Sequence, residues 1–139
     1  MKVKCIGTLG KDLSPKALSV SGFKTSNFQL ELDASYVVYG ISLYKGILHY
    51  LTFDRWKTFP FWFPSELFII EDPSIPADWY FIFFSPPTEG GLEALWGYKE
   101  LTIDSNYYDN LIEREDDAIN TFLKRKEEIE NWISKNALS

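Results

Sequence analysis

Sixteen of the chain's 24 aromatic side chains fall between Tyr36 and Phe84 at strand-like intervals, and the only histidine, His49, lies among them. Large rings suit a pleated, half-buried surface. Turn signals divide the stretch at Lys45-Gly46, at Asp54 to Pro64 and at Asp72-Pro73-Ser74-Ile75-Pro76. The pattern describes a folded β unit in which packing and contact chemistry outweigh ionisable chemistry.

Alternation places Phe28, Leu30 and Leu32 on one face of a strand over 28–33, after an irregular segment 1–27 in which Val3 and Cys5 suggest a short strand. Tyr36 to Leu43 and Ile47 to Phe53 read as a hairpin around Lys45-Gly46, whose glycine can take positive φ. Ser65 to Ile70 forms a further strand. Trp79 to Phe84, apolar throughout, reads as a central one. Leu92, Ala94, Trp96 and Tyr98 alternate as a strand should, and Leu101-Thr102-Ile103 is expected to pair behind it. From Asp104 the period becomes helical, with Asp104 or Ser105 as cap and Tyr108, Leu111, Ile112, Ile119, Phe122, Ile129 and Ile133 as the apolar stripe. Glu113, Glu115, Asp116 and Asp117 mark a break and a new first turn, where the helix dipole favours negative charge. The expected fold is a single α+β domain over 1–139. A β unit over 28–103 forms an antiparallel, strongly twisted sheet or SH3-like half-barrel, and a C-terminal amphipathic helix or helix pair spans 104–136. Connections too short for crossover helices argue against a parallel sheet.

Fourteen basic against 20 acidic residues give a net charge of -6, which repels nucleic-acid phosphates and anionic membrane surfaces. Residues 109–139 hold eight acids and five bases, so the tail is the more negative end. A basic protein partner would be steered towards it. Cys5 is the only cysteine, which excludes an internal disulfide and a thiolate metal cluster and points to the cytoplasm. No signal-peptide core and no membrane-spanning run is expected, because the longest intense apolar run, Trp79 to Phe84, is far shorter than the roughly 20 residues a spanning helix needs.

Candidates for catalysis are few. His49 shares the strand face of Ile47, Leu51 and Phe53, so it is expected to be a satisfied structural imidazole; a nucleophilic dyad would need a partner that spacing does not locate. Asp54, close to Glu66, could pair with Glu31 or Glu71 as a hydrolase's two carboxylates, but with 20 acids such pairings arise by chance. Gly7-Thr8-Leu9-Gly10-Lys11-Asp12 has two residues where a phosphate-binding loop needs four between its glycines. No metal-ligand spacing and no cofactor motif is present.

The aromatic loop remains. Arg55, Trp56, Phe59, Phe61 and Trp62 combine ring area with a guanidinium, the side chains that most often anchor interfaces. With Glu113, Glu115, Asp116 and Asp117 they form the expected partner-binding set. The opposing expectation is a loop folded inward, with Trp62 and Phe63 inside ahead of Trp56 and Phe59.

The run Tyr36 to Tyr50, then Trp62-Phe63-Pro64-Ser65-Glu66-Leu67-Phe68 and Asp72-Pro73, resembles the strand-and-turn rhythm of small SH3-like barrels over about 40 residues. In size, acidity and single-domain layout the chain also resembles bacterial immunity proteins of contact-dependent inhibition and related polymorphic toxin systems. That resemblance implies a non-catalytic, cytoplasmic protein that binds a toxin domain and blocks its active site or substrate contact; with the acidic tail, the expected partner is a basic toxin nuclease domain. The alternative is a small-ligand or peptide-binding barrel with Tyr39, Tyr44, Tyr50 and Trp79 lining a groove. A hydrolase working through Asp54, Glu66 or His49 ranks last. Oligomeric state is left open, a homo-oligomer included.

Overall fold

A computed structural model describes residues 1–54 and 57–136. Among the described residues, two antiparallel sheets form and neither closes into a barrel. The smaller has β2 (Ser35–Val37), β1 (Lys2–Cys5) and β6 (Phe68–Asp72) in that order. The larger runs β5 (Phe61–Pro64), β4 (Ile47–Thr52), β3 (Gly40–Tyr44), β8 (Leu92–Gly97) and β7 (Tyr80–Phe83). Helices are α1 (Pro15–Ser21), α2 (Lys99–Ile103), α3 (Tyr107–Ile112) and α4 (Asp116–Asn136). Among the described residues, no helix is long and apolar enough to cross a membrane.

The hairpin forms as expected. Tyr44 pairs with Ile47 across Lys45 and Gly46, whose φ values of 49° and 78° match a two-residue turn with the strands' own twist. Successive side chains then leave opposite faces of the larger sheet. Ile41, Tyr50 and Phe63 face a first core, shared with Val3 and Cys5 of the smaller sheet, Ala17 of α1, and Leu67 just before β6. Leu51, Leu95 and Trp62 face a second, built with Leu101, Tyr107, Phe122 and Ile129 of the helices.

The expected single strand from Tyr36 to Leu43 is two. The chain leaves β2 after Val37 and enters β3 at Gly40, passing from one sheet to the other, with Val38 N–H bonded to Met1 and Tyr39 N–H to Leu51. Tyr36 and Val38 point into the first core, Val37 and Tyr39 into the second.

Other expectations are corrected. Residues 28–33 form no strand: Gln29 and Asp33 take φ of 57° and 67°, Asn27 Oδ1 accepts from Gln29 N–H, and Glu31 N–H donates to the Tyr36 hydroxyl. Side chains supply the partners a neighbouring strand would have given. The segment 1–27 is not irregular throughout, because Ser14 caps α1 by accepting from Ala17 N–H at 3.2 Å and Pro15 fits its first position. Glu66 in turn accepts from both Ser14 N–H and Ser14 Oγ, at 2.7 and 2.8 Å. Ser65–Leu67 is a short 3-10 turn, with the strand starting at Phe68. Leu101-Thr102-Ile103 belongs to α2, because Gly40 and Gly97 face each other across β3 and β8 and leave a notch for Leu101; a Cβ on either would stand 2.5 or 2.6 Å from Leu101 Cδ2.

Trp79 to Phe84 does not supply a central strand. Strand β7 is an edge of its sheet, and Phe81 and Phe83 are 56% and 60% exposed. Phe81 lies against Trp96 with ring centroids 4.7 Å apart, so an aromatic pair on the open face takes the place of a covering layer.

The C-terminal helices form the expected pair. Asn106 takes the cap position of α3, Asp104 Oδ1 accepting its N–H, and Asp116 and Asp117 open α4. Tyr98, Tyr107 and the Ala118 carbonyl form a buried chain: Tyr107 donates to Ala118 and receives the Tyr98 hydroxyl at 2.6 Å. Arg125 forks onto Glu100 at 2.7 and 2.8 Å, pinning α4 to α2 and holding the Glu100 carboxyl below the usual carboxylate range.

Candidate functional site

Phe61 and Trp62 are strand residues rather than loop residues, pairing with Thr52 and Leu51. Their side chains therefore part company. Trp62 turns towards the helices, half-buried, with its ring 5.6 Å from that of Tyr108. Phe61 stacks with Phe63 at 6.1 Å under the Lys57 ammonium, 4.7 Å from the Phe61 ring. Burial there lowers the Lys57 pKa. Phe63 is buried while Phe59 and Trp62 are both half-buried, so of the ordering expected for an inward-folded loop only Phe63 ahead of Phe59 is seen. Arg55 and Trp56 lie outside the described residues.

The four acids sit where α3 gives way to α4. Glu113 ends α3, Arg114 takes a left-handed φ of 62°, Glu115 N–H closes onto the Asn110 carbonyl, and Asp116 and Asp117 begin α4. All four carboxylates are exposed. Arg114, between two of them in sequence, lays its guanidinium 4.3 Å over the Phe59 ring and 5.6 Å from that of Phe61. Rings and carboxylates far apart in the chain thus become neighbours through one cation–π contact. Sequence reasoning passed over Arg114, although a lone base inside an acidic run was visible.

Between the larger sheet and the helices α2 and α3 lies a cavity of about 1080 Å3. Trp62, Ile82, Leu92, Leu95 and Leu101 form apolar wall, and Ser21 and His49 line it too. The four rings expected to build a groove do not gather. Tyr44 lines the cavity; Tyr50 packs on Phe68 in the first core, and Tyr39 in the second core packs on Phe122 and donates to Glu130 at 2.7 Å. Trp79 packs beside the second core. Compared with family models, with curated proteins and with solved structures, the chain matches none.

His49 has the partner that spacing did not locate. Its Nδ1 lies 2.9 Å from the Ile47 carbonyl and its Nε2 2.8 Å from Ser21 Oγ. A carbonyl can only accept, so Nδ1 carries the proton and Ser21 donates to Nε2. That polarity suits a nucleophilic dyad, but Ser21 ends α1, where the nearest unpaired backbone groups are carbonyls that repel an oxyanion. The arrangement better serves to fasten α1 to β4. Two of the carboxylates considered for a hydrolase have structural partners: Glu66 binds Ser14 at the start of α1, and Glu71 of β6 accepts from Ser35 Oγ of β2. Among the described residues, no group of three or more histidine, cysteine or carboxylate side chains could hold a metal ion. The buried Cys5 thiol donates to the Gly7 carbonyl, and desolvation raises its pKa.

Burial pushes the His49 pKa down, the Ile47 carbonyl opposing it weakly. The unfolded chain therefore takes up the proton first as pH falls through the ordinary value of 6.5, and stability present above that value is lost towards the lower folded pKa. Denaturant melts of wild type and His49→Gln between pH 7.5 and pH 5 are expected to diverge by up to about 1.4 kcal/mol per pH unit, wild type being the steeper. Parallel curves would mean the imidazole is equally protonated in both states.

Proposed function

We propose that the chain is a non-catalytic protein-binding module of the immunity type, which receives a basic toxin domain and blocks its active site or substrate contact inside the cytoplasm. The contact of Arg114 with Phe59 supports this: it brings ring surface and four exposed carboxylates to one side of the α3–α4 turn. Exposed acids accelerate encounter with a basic partner, while rings set the lifetime of the complex.

The test uses a basic nuclease toxin domain as analyte. Neutralising Glu113, Glu115, Asp116 and Asp117 together is expected to slow association about tenfold at low salt and flatten its salt dependence. Phe59→Ala is expected to speed dissociation about tenfold with the on-rate nearly unchanged. Unchanged kinetics in both variants would discard this surface; retention of full nuclease activity in a saturated complex would discard the inhibitory role.

A further inference from the structure

We propose that the cavity between the larger sheet and the helices α2 and α3 binds a small organic amine carrying a large apolar body. This inference does not rest on the partner-binding reading, although Arg114 borders both sites. Its volume, about 1080 Å3, accommodates a drug-sized molecule, and its inner wall of Trp62, Ile82, Leu92, Leu95 and Leu101 offers apolar contact. Ser42, which also lines it, is only 1% exposed, so the polar atoms behind the apolar side chains are sealed from the cavity and its inner surface offers mainly apolar contact.

The rim selects the sign of the ligand's charge. Glu89, Asp104 and Asp109 line it and are exposed. Arg114 is the basic side chain lining it among the described residues, and its guanidinium is spread on the Phe59 ring. An ammonium at the rim meets a net negative lining while its body fills the apolar interior; a carboxylate of the same shape meets repulsion.

Two isosteric probes of opposite charge test this: naphthylethylammonium and naphthylpropanoate, titrated calorimetrically into the whole chain at low salt. The cation is expected to bind at least about tenfold more tightly than the anion. In the triple variant Glu89→Gln, Asp104→Asn, Asp109→Asn, whose exposed substitutions leave the core intact, that ratio should fall below about threefold. Equal affinities in wild type, a ratio unchanged by the triple variant, or no saturable binding at millimolar cation would each overturn the proposal.

Discussion

Phe122→Ala is expected to destabilise the protein by about 3–5 kcal/mol, the cost of deleting a fully buried ring and leaving its cavity. Phe122 is 0% exposed and is the point at which α4 meets the sheet. Tyr39 stands edge-on to it at 5.4 Å, and Phe53 lies at 5.6 Å. Each aromatic pair adds about 0.5–1.5 kcal/mol beyond area, so the upper half of the range is expected. Thermal melting should drop by on the order of 10 °C. Because α4 carries Asp116 and Asp117 in its first turn, the variant should also bind a basic partner more weakly, whereas Leu123→Ala, on the exposed side of the same helix, should change neither quantity appreciably. A Phe122→Ala protein melting within about 2 °C of wild type would show that α4 is not held by this ring.

Gly10→Ala is the second large effect and arises where no side chain is lost. A Cβ at Gly10 would stand 1.8 Å from the Phe23 carbonyl oxygen and 2.8 Å from its carbon. Backbone cannot swing aside as a side-chain tip can. That carbonyl accepts from Ser26 N–H, Phe23 N–H donates to Ser26 Oγ, and Gly10 N–H itself donates to the Ser26 carbonyl at 2.8 Å. Relief requires opening this knot, at a cost of about 2–4 kcal/mol. Gly90→Ala is the matched control, since a Cβ there meets nothing within 4 Å, and it should fall within about 0.5 kcal/mol of wild type. Chemical denaturation of the three proteins distinguishes them; a Gly10→Ala midpoint equal to that of Gly90→Ala would contradict the packing described for this loop.

Local signals with few rivals were legible. Lys45-Gly46 between two aromatic strands specified its turn almost alone, and the acidic cluster at 113–117 specified both the helix break and the new first turn. What escaped depended on partners distant in sequence. The six apolar residues of Trp79 to Phe84 could not reveal that β7 would be an edge, because burial on both faces depends on which strands lie beyond it. Three residues at 101–103 are too few to separate a strand period from a helical one, and the Gly40–Gly97 notch that decides the matter joins positions 57 apart. Helix α1 is a different case: Ser14-Pro15 is a cap-and-first-turn signal, obscured by the surrounding glycines. Of the expected binding set, Phe59, Phe61 and the four acids come to one neighbourhood through Arg114, while Trp62 turns to the cavity. The Ser21–His49 contact was not readable, since 28 residues and a sheet-to-helix packing separate its halves.

The passage from β2 into β3 ties the fortunes of the protein's two interiors. Over four consecutive residues the chain threads alternate side chains into one and then the other, like a seam sewn through two layers of cloth. Neither half can be cut away as an autonomous fragment, and melting one loosens the anchor of the other, so the molecule should come apart in one concerted step.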